Sequence, residues 1–270
     1  MSMNFVSISG VSDKGQMERI NRAYREENLD FPLVIGYQVS NKSINQGTKN
    51  NRQPWFSELG LLDKQTKDYG FHTAVHYYTK DNATMLQDLE KIIDTGVNPK
   101  MTLLQLNTLP CSLETLSKVK EFGFHVIFKV AVSDKQTTQG GYAVWKGKEV
   151  QDVSSGEVSP LVSQVSERLG LIDYAMFDPS HGTNLDLDFD ENNMAMKFGR
   201  AIVDNPKLRE TGLVYAGGIK PGNVSRITRL LNASFPNRFS IDTESGVRID
   251  DQLSPELVKD YLLGYKLALD

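Results

Sequence analysis

Two glycine-bearing segments near the end of the chain have the composition of a phosphate-binding site. In "LVYAGGIKPGNVSRI" an apolar run ends at Gly217 and Gly218, and a helical pattern follows. In "SIDTESGVRI" another apolar run is followed by Ser245 and Gly246. Glycine has no Cβ, so its backbone N–H can approach an anion closely, and a helix amino terminus favours negative charge. The two segments predict a phosphate site, with plain tight turns as the alternative.

Carboxylates and a histidine also follow apolar runs, where they could transfer protons. Asp178 ends the run "YAMFD", and Asp242 ends "FSID". Two carboxylates in different environments can divide the roles of acid and base. His181, Gly182 and Thr183 follow Asp178 closely, and a histidine there could titrate near neutral pH while contacting the substrate. The alternatives are that Asp178 only caps a loop and that His181 lies in a solvated loop.

Metal and cofactor sites find little support in the sequence. The four histidines are scattered, and no His-x-His or Cys-x-x-Cys spacing occurs. The acidic run "DLDFDE" at 186–191 lacks the glycine and spacing of a calcium loop, and we expect it to cap the next helix. No Gly-x-Gly-x-x-Gly motif opens a helix after the first apolar run, which argues against dinucleotide binding. We expect neither metal nor cofactor.

Eight short apolar runs alternate in strict order with eight segments of helical period. The runs lie at 5–9, 32–39, 71–78, 101–106, 125–132, 174–177, 213–216 and 239–242. The candidate helices lie at 14–27, 57–68, 82–95, 112–122, 159–170, 190–204, 221–232 and 254–268, the last with Ser254 as cap and Pro255 at its first position. The pattern predicts an α/β protein, a single (β/α)₈ TIM barrel over residues 1–270. A doubly wound open sheet is the alternative.

The loops predicted after strands 2 and 5 are longer than such a barrel requires. The first covers 41–55, is polar and carries Arg52. The second includes "YAVWKGKEVQDV", which predicts a hairpin turning at Lys146 and Gly147. Loops that follow strands lie at the carboxyl end of a barrel, where active sites form. We therefore expect both loops to cover or select a ligand, with Arg52 as a candidate substrate contact, unless they only decorate the surface.

Strand alternation assigns roles to the other histidines. His76 alternates with Ala74 and Tyr78, so it points into the barrel only if its neighbours in sequence point outward. A structural role inside the barrel is the favoured interpretation for His76. His72 and His125 begin their strands, at the end of the barrel away from the chemistry, and are expected to be structural or exposed.

The bulk properties indicate a cytoplasmic protein with a small-molecule partner. The chain of 270 residues falls in the size range of one barrel. Its formal charge of −4 has dispersed lysines and arginines, which argues against nucleic acid as a partner. The lone Cys111 cannot form an internal disulfide. No signal-like leader occurs and no apolar stretch approaches the roughly 20 residues of a membrane span, so we expect no membrane partner.

Three segments together resemble the phosphoribosylanthranilate isomerase family of tryptophan-pathway barrels. They are "FDPSHGTNLDLDFD", "YAGGIKPGNV" and "IDTESGVR", and weaker similarity occurs at "SISGV", "LLQL" and "VIFKVAV". The resemblance implies an Amadori rearrangement, in which a general acid protonates the ribose ring oxygen and a general base removes the proton at C2 of the resulting imine. It also implies that the acid is Asp178, and that the family's basic cysteine falls at Ser9.

The chain departs from the family pattern at three functional positions. Ser9 replaces the cysteine, and a serine hydroxyl is too weak a base unless another base activates it. Arg248 replaces the last glutamate of the strand-8 motif, and the family's Gly-Gly-Thr-Gly element is reduced to His-Gly-Thr-Asn at 181–184. Asp242, which matches an active-site aspartate of the family, is one candidate replacement for the base, and His181 and His76 are the others. We expect poor phosphoribosylanthranilate isomerase activity.

Three functions are compatible with these observations. The first is acid–base isomerisation of a small phosphorylated ligand that resembles a ribose or a nucleotide. The second is a lyase or hydrolase that acts on a phosphoribosyl or nucleotide derivative on the same scaffold. The third is a non-catalytic binder of a nucleotide-like ligand. One barrel fold hosts many reactions, so the fold alone does not choose among them.

Overall fold

The structure, a computed structural model, describes residues 3–79, 81–107, 111–130, 132–136, 142–146, 149–152, 157–178, 190 and 193–269. The strands in chain order are β1 (Val6–Ser9), β2 (Leu33–Ser40), β3 (His72–Tyr78), β4 (Thr102–Leu106), β5 (His125–Lys129), β6 (Val132–Gln136), β7 (Tyr142–Lys146), β8 (Glu149–Asp152), β9 (Tyr174–Phe177), β10 (Gly212–Tyr215), β11 (Phe239–Thr243), β12 (Arg248–Ile249) and β13 (Gln252–Leu253). The helices are α1 (Lys14–Glu26), α2 (Asn41–Gln46), α3 (Leu59–Asp68), α4 (Met85–Asp94), α5 (Leu113–Glu121), α6 (Ser159–Ser166), α7 (Met194–Val203), α8 (Pro221–Ser234) and α9 (Pro255–Leu269).

Eight parallel strands close into a barrel in the order β1-β2-β3-β4-β5-β9-β10-β11, and β11 pairs back onto β1. This closure confirms the predicted (β/α)₈ fold and eliminates the open doubly wound sheet. All eight predicted strands and all eight predicted helices are present within a few residues of their expected bounds. The barrel forms because each buried strand is followed by an amphipathic helix that covers the outer face of the sheet.

Alternation along the strands divides their side chains between two cores. The barrel interior holds Phe5, Val34, Ala74, Leu103, Ile127, Tyr174, Met176, Val214 and Ala216. The intervening residues, such as Val75 and Tyr77, pack outward against the helices. Every second side chain along a strand points into the barrel. Towards the carboxyl ends of the strands these interior positions are polar, and they include Ser9, His76 and Asp242. The interior is therefore apolar at its base and polar at its carboxyl end.

The helix starts show which capping predictions hold. The Ser254 hydroxyl accepts the Leu257 N–H at 3.3 Å, so the predicted cap of α9 is confirmed. Helix α7 begins at Met194 rather than near 190, and the Asn193 side chain caps it by accepting the Met196 N–H. The acidic run at 186–191, which was expected to cap this helix, lies outside the described residues except for Asp190. No helix in the described ranges is long and apolar enough to cross a membrane.

The two long loops contain more regular structure than expected. The predicted polar loop at 41–55 opens with α2, which Ser40 and Ser43 stabilise through a reciprocal capping box. The predicted hairpin is confirmed by the antiparallel pairing of β7 with β8, although Gly147 lies outside the described residues. The run predicted as one strand at 125–132 is divided, because Val132 begins β6 and pairs with β7. The second loop therefore carries a small three-stranded sheet.

Candidate active site

Three buried polar side chains form a row across the floor of the barrel mouth. The Ser9 Oγ donates a hydrogen bond to Asp242 Oδ1 at 2.5 Å and lies 3.3 Å from His76 Nε2. Ser9 is 0%, His76 3% and Asp242 7% exposed. His76 points inward because Val75 and Tyr77 pack outward, as the alternation requires. We call these three residues the Ser9 row.

The Ser9 row depends on a glycine in the strand between its members. Strand β2 separates β1 from β3, and Gly36 pairs with both Ser9 and Ala74. A Cβ on Gly36 would lie 2.5 Å from Ser9 Oγ and 2.8 Å from His76 Nε2. Real Cβ atoms do not approach that closely, so Gly36 is the residue that lets the serine and histidine meet above β2.

Burial shifts the pKa values of Asp242 and His76, the two ends of the Ser9 row, in opposite directions. Burial raises the pKa of Asp242 to about 7, and the charges of Glu244 and Asp178 also raise it. The hydrogen bonds from Ser9 and Ser7 act in the opposite direction and lower this pKa. Burial lowers the pKa of His76 to about 3, and the Lys129 charge acts in the same direction. At neutral pH the imidazole is uncharged, and Asp242 is poised to take up or release a proton.

An ion pair lies on the opposite wall of the mouth. Lys129 Nζ is 2.6 Å from Asp178 Oδ2, and these side chains are 14% and 13% exposed. Both charges act on the pKa of His76, so the pair faces the Ser9 row. The Asp178 carboxylate therefore contacts a lysine on the neighbouring barrel strand β5. His181, Gly182 and Thr183 lie outside the described residues.

The two glycine-bearing loops meet at the next part of the rim. Gly217 and Gly218 have φ values of 100° and 69°, a region that side chains rarely adopt. Within the described residues, no backbone carbonyl accepts the N–H groups of these two glycines. The amino terminus of α8 follows directly. This arrangement leaves two N–H donors and a helix terminus at one place on the rim.

The partner loop is held against the first by close packing. Thr243 Oγ1 donates to Ile219 O at 2.6 Å, and a Cβ on Gly246 would lie 2.1 Å from the same oxygen. Gly246 and Ser245 belong to a short 3₁₀ turn over Ser245–Val247. Gly246 is therefore required for contact between the loops, so the tight-packing interpretation explains that glycine.

Arg52 forms ion pairs with two carboxylates that follow β11. Its Nη1 lies 2.6 Å from Glu244 Oε1 and its Nε 2.5 Å from Asp251 Oδ1. Gln38 Nε2 donates to Glu244 Oε2 at 2.7 Å, and Arg248 donates to the carbonyls of Gly10 and Asp251. We call Arg52, Glu244 and Asp251 the Arg52 clasp. It joins the loop after β2 to the loop after β11.

Sequence reasoning overlooked Lys129, Gln38 and Glu244. Each lies two residues after an inward-facing position near the end of a strand, so alternation places it on the inner face: Lys129 follows Ile127, Gln38 follows Gly36, and Glu244 follows Asp242. This alternation was the available signal, but charged and amide side chains in an apolar run are easily assigned to the solvent-facing side of the strand. Among the described residues, no group of three or more His, Cys, Asp or Glu side chains is arranged to hold a metal ion.

The closed parallel barrel and its polar carboxyl end define a (β/α)₈ TIM-barrel protein. Solved structures with this architecture include phosphoribosylanthranilate isomerases. The Thermotoga maritima enzyme aligns with a TM-score of 0.59 and 14% identity, over 98% of this chain and 99% of that one. The Pyrococcus furiosus enzyme aligns with a TM-score of 0.57 at the same identity and coverage.

Another barrel also aligns. N-acetylneuraminic acid synthetase from Leptospira borgpetersenii serovar Hardjo-bovis has a TM-score of 0.53 and 13% identity, over 99% of this chain and 84% of that one. No protein-family model and no curated protein sequence matches the chain. At these identities the likeness establishes the fold, so the resemblance predicted from the motifs is confirmed at the level of architecture.

Proposed function

We propose that this protein is an enzyme that isomerises a small phosphorylated sugar- or nucleotide-like ligand by acid–base catalysis. The observation that carries the proposal is the 2.5 Å hydrogen bond between Ser9 and Asp242. Ser9 stands where the resemblance implies a basic cysteine, and a carboxylate with a pKa of about 7 lies directly beside it. The chain thus retains a base at that point of the barrel floor, supplied by β11 instead of β1.

The loops after β10 and β11 support a phosphate anchor. The N–H groups of Gly217 and Gly218 and the amino terminus of α8 offer donors and a favourable dipole to an anion. One phosphoribosylanthranilate isomerase with a TM-score of 0.58 and 14% identity was solved with reduced 1-(o-carboxyphenylamino)-1-deoxyribulose 5-phosphate. A ligand of that kind has a phosphate at one end and a reacting carbon several bonds away.

The proposed reaction needs one group that donates a proton and one that accepts a proton. The Asp178–Lys129 pair delivers a proton to the sugar ring oxygen as the C1–O bond breaks and the lone pair of the adjacent nitrogen forms the protonated imine. Asp242 then takes the proton from C2, so that the electrons of that C–H bond form the C1=C2 bond of an enol and the C=N electrons return to nitrogen. Return of a proton to C1 and loss of the enol O–H proton give the ketone. Ser9 orients the Asp242 carboxylate, and the neutral His76 ring holds Ser9 in place. A positioned proton donor or acceptor of this kind typically raises the reaction rate by about 10²–10⁴-fold.

The alternatives are supported less well by the same contacts. The contact between Ser9 and Asp242 supplies a base at the position where the resemblance implies one, which favours the isomerase. A non-catalytic binder needs no titratable groups in its pocket, yet Asp242, Asp178 and Lys129 converge on one volume. No contact among the described residues specifically favours a lyase or hydrolase.

The proposal is tested by exchange in D₂O. Wild-type protein is incubated with ribose 5-phosphate and with phosphoribosylanthranilate, and NMR follows deuterium incorporation at C1 of the ketose product and at C2 of the recovered substrate. We expect incorporation with at least one of these ligands, and its loss in Asp242→Asn. Asp251→Asn is the matched control, since it changes a carboxylate outside the Ser9 row. Absence of exchange with both ligands, while phosphate binding persists, would contradict the proposal.

A further inference from the structure

One wall of the barrel mouth is rich in hydrogen-bond acceptors. Glu244 follows Asp242 by two residues, and its charge contributes to raising the pKa of Asp242, so it faces the same volume. Its side chain is 27% exposed, which leaves it accessible from the mouth. Gln38 donates its amide N–H to Glu244 and therefore has its amide oxygen available as a further acceptor. We call Gln38 and Glu244 the acceptor wall.

The cations beside the acceptor wall are already compensated. Arg52 is balanced by two carboxylates at 2.6 and 2.5 Å. Arg248 directs its guanidinium to the backbone carbonyls of Gly10 and Asp251. Gly10 has a φ of 75°, and a Cβ there would lie 2.9 Å from Arg248 Nη2, so the backbone itself is shaped around this guanidinium. The charges of Arg52 and Arg248 interact with those of Glu244 and Asp251, so the cluster carries two charges of each sign and offers no excess positive charge to an anionic group.

We propose that the acceptor wall receives the part of the ligand distant from its phosphate and selects groups that bear N–H donors over groups that bear a carboxylate. An amide or amine meets the carboxylate of Glu244 and the oxygen of Gln38. A ligand carboxylate meets a like charge at Glu244, where the Arg52 clasp leaves little positive potential to offset it. The inference rests on the proposed function in that the phosphate end is anchored at Gly217 and Gly218.

Two stable nucleotides test this selection, because they differ in one group. Nicotinamide mononucleotide carries a carboxamide where nicotinate mononucleotide carries a carboxylate, and both share the ribose 5-phosphate. Calorimetry at pH 7.5 and 50 mM salt is expected to show the amide form bound at least about tenfold more tightly. Glu244→Gln should reduce that ratio to about threefold or less, with the affinity for ribose 5-phosphate unchanged.

The controls separate this inference from the proposed function. Asp251→Asn removes the other carboxylate that pairs with Arg52 but leaves Glu244 in place, so it should reduce the preference less than Glu244→Gln does. If Glu244→Gln lowers the melting temperature, the wild-type ratio is compared at 50 and 500 mM salt, where screening should reduce it. Equal affinities, a preference for the carboxylate, or binding of ribose 5-phosphate but neither nucleotide would overturn the inference. Failure of ribose 5-phosphate itself to bind would contradict the phosphate anchor instead.

Discussion

At the scale of single residues, the proposed activity should depend on the ionisation of one buried carboxylate, Asp242. The Ser9 hydroxyl donates to Asp242 and so favours its charged form, against burial. A base must be ionised to accept a proton, so turnover should rise with pH through about 7. In Ser9→Ala the hydrogen bond is lost and the pKa of Asp242 should rise further. We expect the pH–rate midpoint to move to higher pH, whereas an unchanged midpoint would argue against Asp242 as the base.

The same carboxylate should affect folding. The folded pKa of Asp242, about 7, lies above its ordinary value of 3.8, so the native state holds the proton more strongly than the unfolded chain. The stability contributed by protonated Asp242 is therefore present below about pH 4 and lost as pH rises through about 7. Asp242→Asn cannot ionise, so its stability relative to wild type should improve between pH 5 and pH 8. Denaturant melts at these two pH values provide the measurement, and a relative decline would contradict the assignment.

Asp178 is expected to affect both turnover and stability. Asp178→Asn removes the charge that partners Lys129 in a largely buried pair. Turnover should fall by about 10²–10⁴-fold if the pair supplies the proton. Leaving the lysine without its carboxylate should also cost about 1–3 kcal/mol of unfolding free energy. Lys129→Met tests the pair from its other side, and full turnover in Asp178→Asn would assign the acid to another group.

At the scale of secondary-structure elements, strand β2 lies between β1 and β3, and the side chains of Ser9 and His76 meet above it. Gly36→Ala would place a methyl group 2.5 Å from Ser9 Oγ and 2.8 Å from His76 Nε2. Overpacking of this kind costs about 1–3 kcal/mol, and we expect a corresponding loss of stability together with loss of activity. Gly222→Ala is the matched control, because a Cβ there meets nothing within 4 Å. Equal effects of the two substitutions in thermal melts would mean that the Ser9 row has no such steric requirement.

At the scale of the whole molecule, ligand binding should stabilise the barrel by joining two of its loops. Ribose 5-phosphate or inorganic phosphate bound only to the native state at 100 times its Kd should add about 2.7 kcal/mol. Gly246→Ala forces the loop after β11 away from Ile219, so it should weaken this stabilisation at least tenfold in apparent Kd. Thermal shifts across a phosphate titration measure both the stabilisation of the wild type and the apparent Kd of the variant. An undiminished shift in the variant would place the anion elsewhere.

The sequence by itself determined the elements and the end of the barrel at which chemistry would lie. Apolar runs and helical periods are local properties, and eight repeats of the pair leave few alternatives to a closed barrel. Asp178, Asp242 and Gly217 were singled out because each lies at or just after the carboxyl end of a strand, and barrel geometry brings those positions to one rim. Two local signals in the sequence were not recognised, namely the capping box of α2 and the Asn193 cap of α7.

Only the tertiary structure decided which of these residues meet. Ser9 and Asp242 are separated by 233 positions and become neighbours only when β11 closes on β1. The pairing of Lys129 with Asp178 depends on β5 lying beside β9. The ion pair of Arg52 with Glu244, in the loop after β11, likewise depends on packing between distant loops. Periodicity records which face a side chain occupies, but not its partner, because the partner is set by strand closure and by rotamers packed across the whole barrel.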